Sequence, residues 1–270
     1  VDEVGPHSRR RKRAGAVAVR KDRTYRIVVR VALAGLRLLG FRIELRGCEH
    51  LPETGGAVLA INHVSYFDFV FTGLAAHRRG RLVRFLAKQS VFEHAVIGRL
   101  MTAMGHIPVD RHAGAAAYRH GVDALRAGEL VGVFPEATIS RSFVVRDLKT
   151  GAARMALEAE VPLIPVVTWG GHRVWTVGRR PTLRRGIPVV VLIGAPIEAT
   201  PSETAEDLTV RLADRLDQLV SEATATYPKL EQSRGAWWVP ARLGGGAPTP
   251  EEASAAERDA IDGRRRSPAD

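Results

Sequence analysis

In INHVSYFDFV, Ile61 to Val70, a histidine and an aspartate stand five residues apart where an apolar run ends. These residue types can do acid–base chemistry. An unperturbed imidazole titrates near pH ~6.5 and so can accept a proton at neutral pH. A carboxylate on its far ring nitrogen would fix the tautomer and stabilise the imidazolium that forms. The pair suits removal of a proton from an attacking hydroxyl. Five residues is a short interval, and it closes if the chain turns into a helix after His63. Taken alone, His63 and Asp68 also read as a hydrogen-bonded core histidine beside a turn carboxylate.

The pair follows AVLAIN (57–62), one of seven short apolar runs that read as strands. The others are RIELRG (42–47), VRFLAK (83–88), HIPVD (106–110), LVGVF (130–134), LIPVVT (163–168) and PVVVLIG (188–194). Helical patterns lie between them, the clearest being AGAAAYRHGVDALRAG and KTGAARMALEAE. SETAEDLTVRLADRLDQLVSEA places Leu208, Leu212, Leu216 and Leu219 at helical spacing. This alternation predicts an α/β fold with a mixed, largely parallel central sheet flanked by helices. Three strands end in polar, versatile residues: Ile61 in NHVSYFD, Val109 in DR, and Phe134 in PEATIS. Ligand sites in α/β sheets gather beyond the carboxyl ends of strands, so the three endings propose one pocket.

NHVSYFD resembles the NHxxxxD block of the glycerolipid acyltransferases, the family that includes 1-acylglycerol-3-phosphate acyltransferase. GHIPVDR (105–111) looks like the second block, FPEATIS (134–140) like the third, usually FPEGTRS, and VPLIPVV (161–167) like the fourth. One such block is weak evidence; four in order are strong. The resemblance implies direct attack by an acceptor hydroxyl on an acyl thioester, with His63 as general base and Asp68 as its orienting partner. The donor would be acyl-CoA or acyl-carrier protein, and the acceptor a lysophospholipid, foremost 1-acylglycerol-3-phosphate. On this view Arg111 binds the acceptor phosphate, a task that suits the planar donors of a guanidinium. Asp110, Pro135, Glu136 and Thr138 belong to the same acceptor-binding blocks. Glu136 would orient an acceptor hydroxyl or hold Arg111, Lys88 could add charge at a strand end, and Asn62 would bind substrate or orient the loop carrying His63.

The third block departs from the pattern, with Ala137 for the usual glycine and Ile139 for the usual arginine. That removes one phosphate ligand, for which Arg141 and Arg146 are the nearby replacements. No GxSxG elbow is present, and the single cysteine, Cys48, lies outside the blocks, so a covalent acyl-enzyme has no evident nucleophile. The other histidines show no metal-binding spacing. Neither a metal nor a cofactor is expected beyond the acyl carrier as co-substrate.

The chain has 270 residues and a formal net charge of +11. That balance favours anionic partners, and the positive charge concentrates at the start, in RRRKR (9–13). No nucleic-acid-reading module or interleaved aromatics accompany it, so nucleic acid is not expected as a partner. Residues 1–20 read as a basic disordered tail. Residues 21–41 read as an amphipathic membrane-interface helix, in which Arg26, Arg30 and Arg37 fall within roughly 40° of one another at about 100° per residue. It is too short for a confident membrane span, and no signal-peptide cleavage pattern follows. The expected location is the cytoplasmic face of the cell membrane, peripheral or monotopic, against anionic lipid. Residues 42–230 form the expected acyltransferase domain, and 231–270 read as a mostly disordered tail. Trp237 and Trp238 within that tail would dock on the domain or sit at a membrane interface.

Overall fold

The computed structural model describes the backbone over residues 6–110, 114–200, 202–230 and 233–266, with side chains from 22 to 259 within those ranges. The seven apolar runs become seven strands: β1 (Arg42–Arg46), β2 (Ala57–Ile61), β3 (Val83–Lys88), β4 (Ile107–Val109), β5 (Leu130–Val133), β6 (Leu163–Trp169) and β7 (Pro188–Ile193). They form one sheet in the order β1-β7-β6-β2-β5-β3-β4. Every neighbouring pair is parallel except β6 with β7. The sheet is mixed and largely parallel, as the alternation of strands and helices predicts.

Helices cover both faces. They are α1 (Pro6–Leu38), α2 (Asp68–Arg78), α3 (Gln89–Phe92), α4 (Ile97–Ala103), α5 (Gly114–Arg126), α6 (Gly151–Ala159), α7 (Ala205–Ala225) and α8 (Pro250–Arg266). The central strand shows why the sheet needs two layers. All five side chains of AVLAI in β2 are buried. Val58 and Ala60 pack into the core under α5, α6 and α7, while Ala57, Leu59 and Ile61 pack into the one under α1, α2 and α4. Burying a side chain of the size of Leu59 contributes about 1.5–3 kcal/mol, so a polar residue anywhere in this strand would be costly. Helix α7 starts at a capping box in which Thr204 and Asp207 exchange side-chain and backbone bonds, and it buries Leu208, Leu212 and Leu216 completely.

Two boundaries differ from expectation. Helix α1 starts at Pro6, so its backbone is helical through most of the span 1–20, where a disordered tail was expected. Arginine, lysine and alanine there are good helix formers, and proline is tolerated at a first helical position. The expected disordered tail after residue 231 is instead packed: Trp238, Val239, Ala247 and Ala253 are buried, and Arg146 pairs with Glu257 of α8. Trp238 is one of the two tryptophans that the sequence sets apart from this tail, whereas the glycine- and proline-rich composition masks Val239, Ala247 and Ala253.

This topology positions the site. Strands β5, β2 and β6 lie side by side and parallel at the centre, so the segments that follow them leave the sheet at one end. Because β7 is antiparallel to β6, its first residue, Pro188, lies at that same end, in register with Arg42 at the start of β1.

Candidate active site

The chain turns into α2 just after His63, and Asp68 is the first residue of that helix. The turn brings the carboxylate back to the ring: His63 Nδ1 lies 3.0 Å from Asp68 Oδ2. The same oxygen accepts the backbone N–H groups of Val64 (2.8 Å) and Ser65 (2.7 Å). Oδ1 accepts the hydroxyl of Thr168, from the end of β6, at 2.6 Å. Asp68 is fully buried, whereas the His63 side chain keeps 19% of its surface exposed. A carboxylate accepts and does not donate, so Nδ1 carries the proton and Nε2 is left as the acceptor. The side chain of Phe134 stacks on the imidazole at 4.2 Å between ring centroids, closing one of its faces.

The segments after β5 and β6 hold the His63 loop from both sides. The backbone N–H of Ser140 donates to the His63 carbonyl at 2.7 Å. Glu136 accepts the N–H of His63 at 2.7 Å and that of Arg146 at 3.3 Å. From the other side, Ser65 Oγ donates to the Trp175 carbonyl at 2.8 Å, and Thr176 Oγ1 to the Val64 carbonyl at 2.7 Å. Asn62 clips β2 to β6, donating to the Thr168 carbonyl and accepting the Thr168 N–H.

The expected site residues are placed as follows. Asn62 is buried and bonded at both ends of its amide, an arrangement that suits orienting the loop. Glu136 is buried and engaged with backbone, bracing the His63 loop; burial pushes its carboxyl up to about 8. Arg146 is turned away to Glu257 and does not replace the missing third-block arginine. Ile139, which occupies that position, is buried. Arg141 is half-buried with its guanidinium against Gly178, where a Cβ would come within 3.0 Å of Nη1. Pro135 is buried and its carbonyl accepts Lys149 N–H, while Thr138 is exposed. Lys88 and Asp110 are exposed at the neighbouring ends of β3 and β4. Arg111 lies outside the described residues. Ala137 adopts the left-handed φ of 59° that the usual glycine would take without strain.

Thr168 and Phe134 are functional neighbours that the residue patterns do not single out. The signal for Thr168 was a lone hydroxyl at the end of an otherwise apolar strand.

A histidine held by a buried aspartate thus stands beyond the central strands of an α/β sheet. Residues 42–169 match the acyltransferase family model, and this part of the chain belongs to the acyltransferase family. The resemblance carried by the four blocks is borne out. The chain is 30% identical to the 1-acyl-sn-glycerol-3-phosphate acyltransferase of Limnanthes douglasii over 70% of this chain and 63% of that protein. It is 27% identical to a chloroplastic protein of the same name from Arabidopsis thaliana, over 66% of this chain and 50% of that one. It thus spans about half to six-tenths of the length of these curated relatives. The crystal structure of the 1-acyl-sn-glycerophosphate acyltransferase from Thermotoga maritima superposes with a TM-score of 0.60 at 21% identity, over 82% of this chain and 85% of that one, and has the same fold.

Proposed function

We propose that this chain transfers a fatty acyl group from an acyl thioester, carried by coenzyme A or an acyl-carrier protein, to the hydroxyl of a lysophospholipid. The acceptor is 1-acylglycerol-3-phosphate, after the names of its relatives. The observation that carries this reading is the His63–Asp68 pair at 3.0 Å, with Asp68 buried under three further donors. His63 Nε2 takes the hydroxyl proton as the acceptor oxygen attacks the thioester carbonyl carbon. A carbon–oxygen bond forms, and the tetrahedral intermediate collapses with loss of the carbon–sulfur bond. The leaving thiolate takes the proton from Nε2. General-base catalysis of this kind contributes about 10²–10⁴-fold.

No acyl-enzyme is needed. Ser65, the hydroxyl nearest His63 in sequence, is fully buried, donates to the Trp175 carbonyl and accepts the Phe67 N–H. We place the reaction at the cytoplasmic face of the membrane, with the protein attached peripherally. No helix among the described residues is long and apolar enough to cross a membrane.

The test offers the purified protein acyl-CoA or acyl-carrier protein with a panel of lysophospholipids and follows products by mass spectrometry. Phosphatidate should form from 1-acylglycerol-3-phosphate, and His63→Ala should lose about 100-fold or more in turnover. A His63→Ala variant with wild-type turnover would remove the general base from the mechanism.

A further inference from the structure

Of the five arginines in the segment between β6 and β7, four surround one space, Arg173, Arg179, Arg180 and Arg184, and the His63–Asp68 pair uses none of them. None of them is paired with a carboxylate among the described residues. They line a cavity of about 500 Å³ whose wall includes Trp237 and Trp238. A second cavity of about 670 Å³ shares Arg173 and Arg184 with it and adds Arg42, Arg185 and Lys229; its one carboxylate among the described residues, Glu44, is paired with Arg46. The two adjoin at Arg173, Arg184 and Ile187 and together make a basic cleft.

Two of the guanidiniums lie over indole rings. The Arg173 carbon lies 4.1 Å from the Trp238 ring centroid, and that of Arg179 lies 4.0 Å from Trp237. Stacking fixes the plane of a guanidinium and leaves its edge N–H groups for other acceptors. Arg173 spends one donor on the Tyr227 hydroxyl at 3.1 Å. Unpaired, pre-oriented arginines around a concave space fit phosphate oxygens.

The cleft lies at the catalytic end of the sheet. Trp175 lines the first cavity, and its carbonyl accepts Ser65 Oγ at 2.8 Å and Tyr66 N–H at 3.2 Å, within three residues of His63. Pro188 and Arg42, which line the second, begin β7 and β1 at the same end. The site therefore starts beside the dyad and leads away from it. The two substrates of the proposed reaction differ in where their phosphates sit. The acceptor carries its phosphate on the carbon next to the one bearing the reacting hydroxyl, so that phosphate must bind close to His63. An acyl-CoA carries a diphosphate and a ribose phosphate at the far end of a flexible arm from the thioester. An elongated, multiply charged cleft that leads away from the base matches the second pattern.

We propose that this arginine–tryptophan cleft binds the phosphate-bearing nucleotide end of an acyl-coenzyme A donor, with the arm passing Trp175 to bring the thioester to His63. The assignment rests on the acyl-transfer reading above, and makes coenzyme A the acyl carrier.

The test titrates the full chain with coenzyme A and with 3′,5′-ADP by calorimetry, and measures steady-state kinetics for donor and acceptor separately. Arg179 and Arg184 are exposed, so Arg179→Gln/Arg184→Gln should fold, and a thermal melt checks that it does. Without two charge-assisted hydrogen bonds to phosphate, the double variant should bind coenzyme A about tenfold or more weakly and show a comparable rise in KM for acyl-CoA. The KM for 1-acylglycerol-3-phosphate should stay within about twofold, because that phosphate binds elsewhere. Arg179→Lys/Arg184→Lys should recover part of the affinity. An unchanged affinity for coenzyme A overturns the site. So does a rise in KM confined to the acceptor, or wild-type turnover with acyl-carrier protein alone. Absence of product from wild-type protein with either donor overturns the acyl-transfer reading and the site with it, whereas turnover with unaltered donor KM in the variant overturns only the site.

Discussion

Thr168 shows how much of the dyad rests on a residue far from it in sequence. Its hydroxyl is the only side-chain donor on Asp68 apart from His63 among the described residues, at 2.6 Å and fully buried. Thr168→Val keeps the shape and removes the bond, leaving Oδ1 of a buried carboxylate without it. Unfolding in urea should show a loss of about 1–3 kcal/mol, and turnover should fall with a smaller effect on KM. Unchanged turnover would mean that the backbone donors alone hold Asp68. Ala137 offers a prediction of opposite sign. Its φ of 59° is strained for any residue with a Cβ, so Ala137→Gly should stabilise the protein by up to about 1 kcal/mol, read as a higher urea midpoint. His63 and Asp68 were legible because the motif is local and one helical turn closes it. Thr168 was not, because the bond spans 100 positions and the sequence shows only a threonine ending an apolar strand.

The strands could be read because each is a short apolar run, and β2, β6 and β7 are buried on both faces, which leaves little room for another reading. The segments between them could not, since their shapes depend on bonds to one another. Glu136 is the clearest case. The third block marks it as important, but only the folded chain shows that it binds the backbone N–H of His63 and Arg146. Burial is the largest influence on its carboxyl and raises it from about 4.5 to about 8, against the opposing pull of those two donors. A folded-state value above the unfolded one means that the native protein holds more protons between pH ~4.5 and ~8, so this group's contribution to stability falls as pH rises through that window. Glu136→Gln cannot titrate and should lack that part of the decline. Urea unfolding of both proteins at intervals from pH 5 to 8.5 checks this. The stability of wild type relative to the variant should shrink steadily as pH rises, and parallel curves would refute the assignment. The amide introduced by Glu136→Gln would also present an N–H to at least one backbone donor, so turnover should drop at every pH.

Helix α1 and the segment after α7 both pack on the sheet's two cores, and the two joints make different predictions. At the C-terminal side, His172 is buried and held neutral, burial pushing its imidazole down to about 3, and its Nε2 donates to the Trp238 carbonyl at 3.0 Å. Trp238→Ala should therefore cost about 3–5 kcal/mol in unfolding free energy, against almost nothing had the segment been the disordered tail that its composition implies. At the N-terminal side, α1 divides into three stripes at about 100° per residue. Tyr25, Val29 and Leu36 face the core, while Arg23, Arg26, Arg30 and Arg37 form an exposed basic stripe. Ile27, Val31 and Leu38 form a third stripe, exposed at 51%, 66% and 72%. Helix α4 packs beside α1, and Ile97 and Leu100 on it and Val96 just before it are exposed as well. Apolar side chains beside arginines on a helix already anchored to the domain suit attachment to anionic lipid, with the arginines at the phosphates and the aliphatic groups among the acyl chains. The measurement is co-sedimentation with vesicles of phosphatidylglycerol and phosphatidylcholine. Ile27→Glu/Val31→Glu should weaken partitioning by about tenfold or more, since each change replaces buried apolar area with a repelled charge. Raising the salt concentration should weaken wild-type binding without abolishing it, because screening acts on the arginine stripe and not on the aliphatic one. Binding that salt abolishes and the double substitution leaves intact would show that the basic stripe alone holds the protein at the lipid, and that the exposed apolar face of α1 has no part in it.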